Sequence, residues 1–136
     1  MSTKPRSRIT ALLCENSSWK AWLDASRSPG FQPASCAGIR PVRIPCTGVL
    51  EPGVLLRMLE QGSDGLFIAG CPKDNCSCLR GSHWAEKRVK AARAALKDAG
   101  MDEKLIRFEF VSSMDGHRLV EMMGSFKGYI DDHSGS

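Results

Sequence analysis

Residues 65–76 read GLFIAGCPKDNC. The first six are apolar or glycine with no polar alternation, so both faces of this segment favour burial, as in a central strand of a parallel sheet. Cys71 stands at the end of the run, and a Pro-containing turn leads on to Cys76 at C-x4-C spacing. Two earlier apolar runs also stop at a cysteine: Ile9–Cys14 (ITALLC) and Val42–Cys46 (VRIPC), the second weakened near its end by Pro45. Three candidate strands therefore share one property, a thiol at the carboxyl end.

The segments between these runs carry helical signals. Ser17–Ala25 reads as a short helix capped by Ser17 or Ser18, with Trp19, Trp22 and Leu23 on one face. Arg27–Pro41 reads as a Pro/Gly-containing loop. Pro52 opens a second helix and Gly62 closes it, with Val54, Leu55, Met58 and Leu59 inward. Ser82–Ala99 is the longest helix, capped by Ser82 and ended by Gly100. Its inward set is Trp84, Val89, Ala92, Leu96 and Ala99, and its outward set Lys87, Arg88, Lys90 and Arg93. Arg107–Val111 (RFEFV) alternates, as a strand nearer an edge does. Ser113 caps a last helix whose apolar stripe is Leu119, Met122, Met123, Phe126 and Ile130. Of these, Met122, Met123 and Phe126, with Tyr129, read either as core or as an exposed docking surface.

Strand followed by helix, repeated along the chain, predicts an α/β domain. The expectation is a small four-stranded parallel sheet, flavodoxin- or Rossmann-like, with helices on both faces and strand order 2-1-3-4. It spans residues 9–130, between flexible tails at 1–8 and 131–136.

Composition narrows the function classes. The chain has 136 residues, one domain's worth, with a net charge of +4, too modest to argue for nucleic acid. No run approaches the ~18 apolar residues of a membrane span, and the basic start MSTKPRSR leads into no signal-type apolar region, which predicts a cytoplasmic protein. In that reducing compartment six cysteines read as metal or redox chemistry rather than structural disulfides. There is no G-x-G-x-x-G, no P-loop, no Ser/His/Asp set and no carboxylate pair suited to hydrolysis.

In open parallel sheets, ligands sit beyond the carboxyl ends of the strands at the point where the strand order reverses. Neighbouring strands are about 4.8 Å apart there, so Cys14, Cys46 and Cys71 come within reach of one small centre. The loop through Cys76 brings a fourth thiol. Four thiolates suit iron–sulfur or zinc. The absence of paired C-x2-C knuckles favours a 2Fe–2S cluster, with zinc in a non-redox interaction module as the alternative. Cys78 is an alternative ligand to Cys76, and Cys36 reads as a free thiol in the long loop. A thiol oxidoreductase using Cys76 and Cys78 ranks last, because the usual C-x-x-C before a helix is missing. His83, His117 and His133 are too scattered for a histidine-ligated centre.

Several of these stretches also resemble a known family. They are Cys14-Glu15-Asn16, Val42–Gly48 (VRIPCTG), Gly62–Cys71 (GSDGLFIAGC), Cys76, and Gly81-Ser82 with Ala85–Val89 (AEKRV). Together, from Ile9 to Val120, they resemble the delta subunit of methyl-viologen-reducing hydrogenase, an iron–sulfur protein found beside heterodisulfide reductase complexes. The resemblance implies a 2Fe–2S cluster on Cys14, Cys46, Cys71 and Cys76. It also implies a non-catalytic electron-transfer role between a redox partner and a heterodisulfide reductase A-like flavoprotein. Two positions depart from the pattern: Ser18 stands where some relatives have a second cysteine, and Ser77 where histidine is frequent.

Overall fold

A computed structural model describes residues 8–45, 47, 50–72 and 81–134. The elements follow the alternation expected: β1 (Ile9–Cys14), α1 (Ser18–Ser26), β2 (Ile39–Ile44), α2 (Pro52–Glu60), β3 (Gly65–Gly70), α3 (Gly81–Asp98), β4 (Ile106–Phe110) and α4 (Gly116–Ser134). The four strands form one sheet in the order β2-β1-β3-β4, every pair parallel. Register aligns Ile9 with both Ile39 and Gly65, and Leu66 with Ile106.

Alternate residues of the two central strands feed two cores, one on each face of the sheet. Ile9, Ala11, Leu13, Phe67 and Ala69 pack with Ala21 of α1 and with Leu119, Met123, Phe126 and Ile130 of α4. Leu12, Leu66 and Ile68 pack with Leu55 of α2 and with Val89, Ala92 and Leu96 of α3. Every residue of β3 is buried, which accounts for its unbroken apolar sequence. Helix α4 lies so close to the start of β3 that a methyl group on Gly65 would meet the Ile130 side chain at 2.8 Å. Gly62 and Gly100 take positive φ, 119° and 79°, just beyond α2 and α3, the conformation that ends a helix and favours glycine.

The structure departs from the sequence expectation in several places. Strand β2 begins at Ile39 and ends at Ile44, so it starts inside the expected loop and stops before Pro45. Pro41 is tolerated within it because β2 is an edge strand with a partner on one side only. The same loop holds a 3₁₀ turn at Pro33–Cys36, which buries Cys36 against the α1/α4 core. Arg8 is not a free tail: its N–H donates to Asp64 Oδ2 at 2.7 Å, and its carbonyl accepts from the Asp64 N–H. Residues 1–7 lie outside the described residues.

Helix α4 starts at Gly116, after Asp115 rather than at Ser113, and continues to Ser134, past the expected boundary at 130. The buried stripe of α3 is Ala85, Val89, Ala92 and Leu96, leaving Trp84, one position before it, and Ala99, three positions beyond it, exposed. Val54, expected inside, is exposed, while its neighbour Leu55 is fully buried. Met123 and Phe126 are core residues, so the suggested docking surface on α4 does not exist as an exposed patch. Trp19 and Trp22 are half-buried and pack against that same core. No helix among the described residues is long and apolar enough to cross a membrane.

Candidate metal centre

A strand that feeds a helix in a parallel sheet delivers its last residue, and the helix N-terminus, to the same edge. Cys14 is the last residue of β1, and Cys71 directly follows β3, the strand paired with β1. Both are buried, at 1% and 2% exposure, and neither is in a disulfide. Their sulfurs lie 3.5 Å apart. This is far beyond the ~2.05 Å of a disulfide bond. It is close to the separation of about 3.8 Å that two thiolates take on one tetrahedral ion with metal–sulfur bonds of about 2.3 Å. Cys14 Sγ also lies 3.9 Å from the carbonyl oxygen of Pro45, the residue that precedes Cys46 in sequence.

The turn after β1 is built to hold this position. Ser18 is fully buried, and its Oγ accepts the Cys14 N–H at 2.9 Å and donates to the Ala69 carbonyl at 2.7 Å. One hydroxyl thus joins the cysteine end of β1 to β3 just before Cys71. The Ser17 N–H donates to the Cys14 carbonyl at 3.1 Å, and the Glu15 N–H to the Ile44 carbonyl at 2.8 Å, tying the same turn to the end of β2. Ser17 and Thr47 are buried too, but Ser17 Oγ and Thr47 Oγ1 have no hydrogen-bond partner among the described residues.

The structure therefore brings together two of the four expected ligands. Cys46, Cys76 and the alternative Cys78 lie outside the described residues, as do the side chains of Ser82 and His83. Among the described residues no three Cys, His, Asp or Glu side chains gather into a metal-binding group. Cys36 sits elsewhere, behind the 3₁₀ turn on the α1/α4 core. Burial pushes its thiol pKa up, partly offset by the Ser35 hydroxyl, which donates to its sulfur, and by Lys127. It stays protonated at neutral pH, which suits an inert core thiol. Sequence reasoning reads Ser17 and Ser18 as helix caps, and Ser18 also as a departure from the family pattern, and it does not single out Thr47. Their adjacency to cysteines is visible, but nothing in the sequence tells a bridging hydroxyl from an ordinary helix cap.

The residues present fit a thiolate-bound metal. Two buried sulfurs stand at the spacing of ligands to one ion, and the buried hydroxyls of Ser17 and Thr47, each close in sequence to a ligand candidate, have no partner among the described residues. Fold and site together define a small parallel α/β domain with a thiol centre at the carboxyl edge of its sheet. The family model for the delta subunit of methyl-viologen-reducing hydrogenase matches residues 9–132, and the chain belongs to that family. It is 26% identical over 119 residues to an iron-sulfur subunit of the F420-non-reducing hydrogenase of Archaeoglobus profundus, covering 88% of this chain and 87% of that one. It is 31% identical over 113 residues to the vhu iron-sulfur subunit of the F420-non-reducing hydrogenase of Methanococcus voltae, covering 83% and 82%. It also matches one subunit of the ferredoxin/F(420)H(2)-dependent CoB-CoM heterodisulfide reductase of Methanosarcina acetivorans, 29% identical over 124 residues, or 91% of this chain but 15% of that protein.

Proposed function

We propose that this protein is a non-catalytic electron-transfer subunit that holds a 2Fe–2S cluster on Cys14, Cys46, Cys71 and Cys76. The reading is carried by the 3.5 Å approach of the buried Cys14 and Cys71 sulfurs at the carboxyl edge of the sheet. It is supported by the names of relatives, iron–sulfur subunits of hydrogenases. When bound, the cluster supplies reversible one-electron chemistry. The chain's own contribution is mechanical and electrostatic. Cys14 and Cys71 offer thiolates from adjacent strands, Ser18 fixes the backbone between them, and burial keeps water from the sulfurs. Donor and acceptor are another redox protein and a heterodisulfide reductase A-like flavoprotein, working with this chain in a cytoplasmic complex. The similarity to a segment of a heterodisulfide reductase favours that side of the relay.

The test is metal and acid-labile sulfide content, with a visible spectrum, on protein purified without oxygen. Two irons and two sulfides per chain, with colour bleached by dithionite, are expected. Cys14→Ala, Cys46→Ala, Cys71→Ala and Cys76→Ala each lose the colour, whereas Cys36→Ala retains it. A colourless wild-type protein with one zinc per chain overturns the redox reading in favour of a zinc-stabilised interaction module. A Cys46→Ala variant with full iron and absorbance removes that residue from the ligand set.

A further inference from the structure

Ser17 and Thr47 are 3% and 0% exposed, and their hydroxyls are the buried side-chain oxygens that find no partner among the described residues. A buried hydroxyl normally has a hydrogen-bond partner, because losing water without replacing it costs free energy. Both residues border ligand candidates: Ser17 is three residues beyond Cys14, and Thr47 follows Cys46. Ser17 is also the N-cap of α1, where serine ordinarily bonds a backbone N–H of the first turn, yet its side chain makes no such bond. Its neighbour Ser18, equally buried, uses its hydroxyl as both donor and acceptor. The turn thus pairs one hydroxyl as both donor and acceptor and gives the adjacent one no partner among the described residues. A sulfur-rich anionic centre would supply the acceptor that neither hydroxyl has among the described residues.

On the reading proposed above, we infer that Ser17 and Thr47 are positioning residues whose hydroxyls donate hydrogen bonds to sulfur of the bound centre. Such donors withdraw charge from sulfur and favour the reduced, more negative state, so they raise the reduction potential. Without metal the same hydroxyls are a burden to the fold, since replacing an unpaired buried polar group by an apolar one of similar shape is neutral or stabilising. The two states therefore respond to substitution with opposite signs, which a merely structural serine or threonine does not do.

The experiment uses the full chain purified without oxygen, as wild type, Ser17→Ala, Thr47→Val and Thr47→Ser. Iron and sulfide content, midpoint potential, and the D2O-induced shift of the iron–sulfur stretching bands in resonance Raman spectra are read on loaded protein. The urea midpoint is read on metal-free protein. Ser17→Ala and Thr47→Val are expected to move the potential to more negative values, to shrink the D2O shift, and to leave the metal-free urea midpoint unchanged or higher. Thr47→Ser, which keeps the hydroxyl, stays nearer wild type in potential than Thr47→Val. Loaded variants with wild-type potential and wild-type D2O shift overturn this assignment and leave the relay reading standing. A lowered urea midpoint in both metal-free variants overturns it as well, because the hydroxyls then have partners in the protein itself. A wild-type chain that takes up no iron overturns the relay reading and this one with it.

Discussion

Ser17 and Ser18 are adjacent, identical in chemistry and both buried, yet the structure gives them opposite roles. Ser18 bonds the Cys14 N–H and the Ala69 carbonyl, whereas Ser17 Oγ bonds nothing among the described residues. Ser18→Ala strands a buried N–H and removes a donor from a buried carbonyl, so metal-free protein is expected to lose roughly 1–3 kcal/mol of stability in urea unfolding. An unchanged urea midpoint for Ser18→Ala refutes the bridging role. This distinction is not legible in the sequence, where ENSSW offers two equivalent helix caps. The thiols are more legible. One argument, apolar runs ending in cysteine on paired parallel strands, places Cys14 and Cys71 together, and their sulfurs meet. Cys36 reads as a spare thiol, and its burial away from the pair agrees with that.

Helix α4 is fastened at its far end by a polar cluster. The Tyr129 hydroxyl donates to Asp102 Oδ2 ahead of β4, His133 Nε2 lies 3.1 Å from the same oxygen, and the Tyr129 and His133 rings stack at 4.1 Å between centroids. The hydrogen bond to Asp102 pushes the Tyr129 pKa up to about 12, with desolvation adding to it. The same bond chiefly holds the Asp102 carboxyl below its usual range, aided by the Lys104 N–H and by the charges of His133 and Lys104. Tyr129 has its raised pKa in the folded state, so its contribution is complete below the unfolded value of about 10 and fades as pH rises toward the folded one. Asp102 has a lowered folded pKa, so its contribution is complete above about 3.9 and fades as pH falls through the folded value.

Tyr129→Phe is therefore expected to lower thermal stability by a constant margin from about pH 5 to 9, with the gap closing at both extremes. Melting curves across pH check this, and a gap that stays level beyond pH 10 contradicts it. This fastening explains why α4 runs on to Ser134, when the apolar stripe alone gives Ile130 as the end. Apolar periodicity locates where a helix is buried, and α4's last turn is held by polar groups instead. In the same way, the start of β2 is hidden in the sequence because Pro41 looks like a loop residue, and only the sheet order reveals that an edge accommodates it.

The sheet divides the protein into two cores that share a backbone but few side chains, α1 and α4 on one face, α2 and α3 on the other. Ile130 belongs to the first core and Ile68 to the second. Each Ile→Val change is expected to cost about 0.5–1.5 kcal/mol in urea unfolding. The double variant should equal the sum within about 0.5 kcal/mol, because the sites have no common partner. A larger coupling energy means the sheet transmits packing strain from face to face. The paired sulfurs originate far apart in the chain. They are 57 positions apart, on strands that become neighbours only when the sheet closes. In a nascent chain neither sulfur has the other nearby, and joining these two early carries the entropic penalty of closing a long loop. On the proposed function, assembly of the full centre is therefore expected to follow formation of the sheet, so that whatever delivers the metal meets a folded domain rather than an unfolded polymer.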